Sequence, residues 1–159
     1  MSIEDDIATL EAVPTLRALG PHALRILAIG CESRALEEGE VLFKMGEPAD
    51  CGYVIQEGAV VLNPPAPGSD RPPLAMVGPG ALLGELALIL DTMRPVTAVA
   101  TEPAIVMRIS RHLFRKTLEG FPEAAERLRD HLAERARETA EDISLVGAVL
   151  DPGGKRASE

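Results

Sequence analysis

The stretch Gly80–Ala100, GALLGELALILDTMRPVTAVA, gathers the residue types that bind a small anionic ligand. Gly84 permits a sharp backbone turn, and Glu85, Leu86, Ala87 and Leu88 have the composition to open a short helix. N–H groups at a helix start lack partners within the helix and attract an anion. Arg94 stands just before a β-like run, near enough in sequence for its guanidinium to fold back over those donors. One carboxylate and one guanidinium beside free backbone N–H groups suit a ligand that carries both hydroxyls and a phosphate.

These residues need elements to position them. Residues 5 to 29 carry Ile7, Leu10, Val13, Leu16, Leu19, Leu24, Leu27 and Ala28 at helical steps, broken by Pro14 and Gly20-Pro21, which predicts two or three short helices. From 31 to 110 the period changes to short β-like runs at 33–37, 41–45, 53–56, 59–62, 74–77, 96–100 and 104–109. Gly- and Pro-containing turns separate them, the pattern of a closed roll or jelly roll of about eight strands. Asn63–Pro73 (NPPAPGSDRPP) holds five of the 13 prolines and reads as an exposed loop. After Ser110 the helical period returns, first over Arg111–Leu118 and then from Pro122 to about Val146. The second helix has an apolar stripe (Ala125, Leu128, Leu132, Ala136, Ala140, Ile143) that must be buried against something. The reading is mainly β with flanking helices in a single domain over 1–159: N-terminal helices 1–30, roll 31–110, C-terminal helices 111–146 and a flexible tail 147–159.

The composition narrows the function. A net charge of −9 opposes duplex binding, and four aromatics (one Tyr, three Phe) leave few platforms for single strands, so no nucleic acid partner is expected. Arg108, Arg111, Arg115 and Lys116 read as a solvated face, and Phe43, Tyr53 and Phe114 as core. No apolar run reaches membrane length and the N-terminus is acidic, so no membrane and a cytoplasmic location are expected. Cys31 and Cys51 lack paired spacing and read as free buried thiols. The three histidines are scattered and no serine has a nucleophile-elbow context, so neither a metal nor a catalytic residue is assigned.

The cassette GELAL, followed after a short gap by Arg and a strand, resembles the phosphate-binding cassette of cyclic nucleotide-binding domains, the family of the catabolite activator protein and the protein kinase A regulatory subunit. The resemblance extends through VPTLRALGPHALRILA, LEEGEVLFKMGEPAD, YVIQEGAVVL and VMRISRHLF, over roughly residues 8 to 145. It implies that Glu85 accepts from the ribose 2′-hydroxyl, that Arg94 pairs with the cyclic phosphate, and that the N–H groups of Leu86 and Ala87 complete a cradle floored by Gly84. It implies a base covered by the last helix, with Leu128 and Leu132 as lid residues. It also implies a regulatory, signal-transducing domain of Crp/Fnr-like type, and dimerisation through that helix.

Two residues depart from the family pattern. Pro95 and Val96 follow the arginine where a small residue and Ala are common. Proline has no N–H to offer the phosphate, and a lost charge-assisted bond of about 1.5–3 kcal/mol weakens binding roughly 10- to 150-fold. Val96 adds bulk beside the pocket. Pro95 also cannot supply the hydroxyl that favours guanine in this family, which points to cAMP ahead of cGMP. About a dozen residues follow Val146, too few for a helix-turn-helix module of on the order of 50 residues. The expectation is therefore a stand-alone sensor that reports to a protein effector not identifiable from sequence. The alternative is a degenerate fold that binds no nucleotide and serves as a dimerisation or interaction module.

Overall fold

The computed structural model describes residues 2–150, and the side chains through residue 138. Three helices open the chain: α1 (Ile3–Glu11), α2 (Pro14–Arg17) and α3 (Pro21–Gly30). Ser2 starts α1 with a capping box, its hydroxyl accepting from the Asp5 N–H while the Asp5 side chain accepts from the Ser2 N–H. Pro14 and Pro21 each stand at a first helical turn, where a missing N–H costs nothing.

Ten strands follow: β1 (Glu32–Leu36), β2 (Val41–Phe43), β3 (Pro48–Ala49), β4 (Cys51–Glu57), β5 (Val60–Leu62), β6 (Ala75–Val77), β7 (Leu82–Leu83), β8 (Thr92–Met93), β9 (Ala98–Ala100) and β10 (Ala104–Ser110). They form two antiparallel four-stranded sheets, β1-β10-β4-β7 and β2-β9-β5-β6, and a ribbon of β3 with β8. Three of the ten, β3, β7 and β8, are two-residue strands that the sequence pattern does not announce. Two residues carry no detectable alternation, and their pairing is decided by neighbours distant in the chain. The proline-rich segment is a loop between β5 and β6, as expected.

The period-2 geometry of β4 and β10 divides the apolar residues between two cores. Cys51, Tyr53 and Ile55 of β4, with Ala104 and Val106 of β10, face into the roll beside Leu36, Phe43, Val60 and Leu83. Val54, Met107 and Ile109 face the other way, onto a cluster built from α1, α2 and α3 with Leu88, Phe114 and Leu128. The sheet between the cores is thus buried on both faces, and Cys51–Ile55 are all buried.

α4 (Arg111–Gly120) begins at Ser110, whose hydroxyl accepts from the Leu113 N–H at 3.0 Å. α5 (Pro122–Leu150) runs past the end expected near Val146. A lone Gly147 weakens a helix by only about 1 kcal/mol relative to Ala, which does not stop it, whereas Pro152 is the stronger stop signal. Residues 147–150 are therefore helical instead of tail, and the rest of the expected tail lies outside the described residues. Ala124 and Leu128 of α5 are buried in the helical core. The stripe members Ala140 and Ile143 lie outside the described side chains.

Candidate functional site

The loop from β7 to β8 turns at Gly84, makes a short 3₁₀ turn over Leu86–Leu88, and enters β8 just before Arg94. Pairing of β8 with β3 sets the position of Arg94: its N–H donates to the Glu47 carbonyl (2.8 Å) and its carbonyl accepts from the Gly46 N–H (2.9 Å). The side chain turns into the roll and is only 5% exposed. Its Cζ lies 4.4 Å from the Phe43 ring centroid and 5.5 Å from that of Tyr53, and the two rings stack 6.0 Å apart. Nη2 donates to Cys51 Sγ at 3.2 Å, while Nη1 is buried without a hydrogen-bond partner.

The energetics of that guanidinium are unbalanced. Each aromatic face contributes about 0.5–2 kcal/mol, and a sulfur is a weak acceptor. Removing the charge from water costs several kcal/mol. No carboxylate among the described residues pairs with Arg94. Burial, reinforced by Cys51, raises the Tyr53 pKa, so the phenol stays neutral and supplies a ring face, not a counter-ion. The unpaired donor has the charge and geometry to receive an anion.

Gly84 forms one wall beside it. Its φ is +84°, and a Cβ built there would stand 2.6 Å from Arg94 Nη1 and 3.1 Å from the Cys51 carbonyl. Only glycine satisfies both the left-handed backbone and the close approach. The N–H groups of Glu85 and Leu86 have no hydrogen-bond partner among the described residues. The Ala87 N–H, expected in the cradle, is spent on the Gly84 carbonyl at 3.0 Å, because the turn closes with 3₁₀ spacing.

Glu85 departs furthest from the picture of one carboxylate and one guanidinium in a shared cradle. Its carboxylate is turned to the helical side, where it accepts from the Thr15 hydroxyl of α2. Arg135 Nη1 of α5 donates to both its oxygens, at 3.0 and 2.8 Å, and to Thr15 Oγ1 at 3.0 Å. Thr15 itself is buried. The structure brings Gly84 and Arg94 together but sends Glu85 elsewhere, since partners from α2 and α5 satisfy the carboxylate there. Pro95 is exposed at the rim, and Val96 is half-buried against the roll core. Leu128 and Leu132 belong to the helical cluster with Leu88, not to the roll interior, so a lid role requires α5 to move.

Sequence reasoning missed Phe43, Tyr53 and Cys51 as surroundings of the Arg94 guanidinium, treating the aromatics as plain core and Cys51 as a free buried thiol. The signal for two of them was present: Cys51 and Tyr53 alternate on one face of β4. Arg111 also leaves the solvated face assigned to it. Its side chain, 14% exposed, donates to the carbonyls of Ala87 and Ala49 and pairs with Asp91. Arg115 donates to the Ile89 carbonyl at 3.2 Å. The first two turns of α4 therefore hold the cassette by its carbonyls. Both cysteines are free, Cys51 buried and Cys31 half-buried.

The fold and site together are thus a helix-flanked antiparallel roll that encloses a buried arginine against a glycine turn. The Cyclic nucleotide-binding domain family matches residues 33–120. The chain belongs to that family. It is 32% identical over 124 residues to a cyclic nucleotide-gated potassium channel of Mesorhizobium japonicum, covering 78% of this chain and 33% of the channel. It is 26% identical over 137 residues to the cyclic AMP receptor protein of Thermus thermophilus, covering 86% of this chain and 63% of that protein. Among solved structures, a cyclic nucleotide-binding-like protein from Brucella abortus is 43% identical with a TM-score of 0.65, covering 72% of this chain and 98% of that one. The chain thus spans between a third and just under two thirds of the length of these two curated relatives. Among the described residues, no helix is long and apolar enough to cross a membrane, and no group of three or more His, Cys, Asp or Glu could hold a metal ion.

Proposed function

We propose that this domain senses a cyclic nucleotide, cAMP in preference to cGMP, and relays its presence through α4 and α5 to a protein effector. The carrying observation is the buried Arg94 guanidinium, whose Nη1 has no partner beside the glycine turn. A cyclic phosphodiester supplies the missing charge and acceptors, and the N–H groups of Glu85 and Leu86, unpartnered among the described residues, follow Gly84 directly in the chain. Support for cAMP comes from Pro95, which has no hydroxyl for guanine, and from the name of the Thermus relative. The site binds and signals; it contains no assigned catalytic group.

The relay is physical. Ligand that draws the cassette inward pulls on the carbonyls of Ala87 and Ile89, which Arg111 and Arg115 of α4 hold. Only a difference in affinity between two conformations produces a response. A homodimer through α5 would have to use the stripe beyond Leu132, because Ala124 and Leu128 are already buried at home.

Calorimetric titration with cAMP and with cGMP, on wild type and Arg94→Ala, tests the reading. Wild type gives heat with cAMP at lower concentration than with cGMP, and Arg94→Ala loses at least 100-fold in affinity, roughly the 3 kcal/mol of a charge-assisted contact. Absence of heat at millimolar nucleotide with wild type would sink it.

A further inference from the structure

One carboxylate oxygen of Glu85 accepts from Thr15 and Arg135 together, and the other accepts from Arg135 again. This is the single ion pair between the cassette and α5 among the described residues. Two turns earlier, Arg127 ties the same helix to the turn after α2, donating to the carbonyls of Ala18 (3.1 Å) and Leu19 (2.7 Å). The Arg127 contacts involve only α5 and the turn between α2 and α3. The Arg135 contact involves the one carboxylate that lies next to Gly84. Glu85 lines a cavity of about 470 Å³ with Thr15, Leu82, His131 and Arg135. His131, one turn before Arg135, lines the same cavity, and its buried Nε2 has no hydrogen-bond partner among the described residues.

We infer that Arg135 and Thr15 form a latch that competes with the ligand for Glu85, so that nucleotide binding and docking of the distal part of α5 oppose one another. The inference rests on the cyclic nucleotide reading. A carboxylate held toward α2 and α5 is not presented to a hydroxyl beside Arg94. Ligand that claims Glu85 breaks the one ionic tie between α5 and the cassette among the described residues, and by linkage a helix freed from the tie raises ligand affinity by the same factor. The pair is suited to reversal. Its side chains are 49% (Arg135) and 31% (Glu85) exposed, and an ion pair so solvated is worth a small multiple in an equilibrium constant, not orders of magnitude.

The test is calorimetry with cAMP on the full chain as wild type, Arg135→Gln, Glu85→Gln and the double variant, with Arg137→Gln as a control on an arginine whose partner is Glu134 of the same helix. Arg135 is half exposed, so its replacement leaves the fold intact. Arg135→Gln is expected to tighten cAMP about two- to fivefold. The gain vanishes in the Glu85→Gln background, because the two substitutions act on one contact. In the ligand-free protein, amide hydrogen exchange across the middle of α5 quickens in Arg135→Gln and not in Arg137→Gln. Wild-type binding that Arg135→Gln leaves unchanged or weakens overturns the latch and leaves the sensor standing. No binding by either protein overturns the sensor and the latch with it.

Discussion

Arg94 and Glu85 leave the same loop, yet one side chain enters the roll and the other a cleft against α2 and α5. Arg94 meets two aromatic faces, a thiol and no carboxylate. Glu85 meets a hydroxyl and a guanidinium that satisfy both its oxygens. The first is a charge buried at a loss, the second a charge already paired in partial contact with water. On the sensor reading proposed above, the polar group left short of partners in the interior is where the ligand enters, and the one fully paired against α5 is where its arrival is reported.

The contrast is broken most directly by Arg94→Met. Trading a buried, unpaired charge for an apolar chain of similar length is expected to stabilise the ligand-free protein by about 1–3 kcal/mol while abolishing anion binding. Urea unfolding beside a nucleotide titration reads both. Loss of stability would recast the guanidinium as structural glue. Gly84→Ala probes the wall between the two charges. A left-handed φ of +84° and a Cβ 2.6 Å from Nη1 must be accommodated together, at a cost of about 1–3 kcal/mol in stability, and Arg94 is displaced. Equal stability and affinity in Gly84→Ala would show that the close approach does not matter.

The smallest effect lies on the helical side. Burial, aided by the Asp6 carboxylate, raises the Cys31 thiol from 9.0 to about 11. A folded-state pKa above the unfolded value means that its contribution to stability is whole below pH 9 and is lost as the pH climbs through 11. At pH 8 the thiolate fraction is roughly a hundredfold below that of a free cysteine, partly offset by higher intrinsic nucleophilicity. Alkylation of Cys31 by iodoacetamide should therefore run about tenfold slower than in the unfolded chain. Reaction at the free-thiol rate would show that the helical cluster opens readily.

Much of the architecture was legible because it rests on local signals. Pro14 and Gly20-Pro21 divide the first helices where the structure divides them. Asn63–Pro73 is a loop because proline cannot join a ladder. The cassette was readable because GELAL, followed after a short gap by Arg94, resembles the family pattern, and Gly84 and Arg94 are the residues of it that the structure brings together. Glu85 was not, since a carboxylate on a turn takes whichever donors the fold presents, and Thr15 and Arg135 come from opposite ends of the chain. Arg111 was misjudged for the same reason, as its acceptors are main-chain carbonyls, which leave no mark on composition.

Periodicity, turn residues and one glycine–arginine pairing were thus enough to predict helices, a roll, helices and the loop that joins Gly84 to Arg94. Only packing in three dimensions decided that Phe43, Tyr53 and Cys51 surround the guanidinium, that the two-residue strands β3 and β8 pair to hold it there, and that Glu85 faces α5. Short-range patterns report what each residue prefers among its neighbours in the chain. The direction in which a charged side chain turns depends on which distant groups lower its desolvation cost, and that is settled only when the sheets and helices have closed around it.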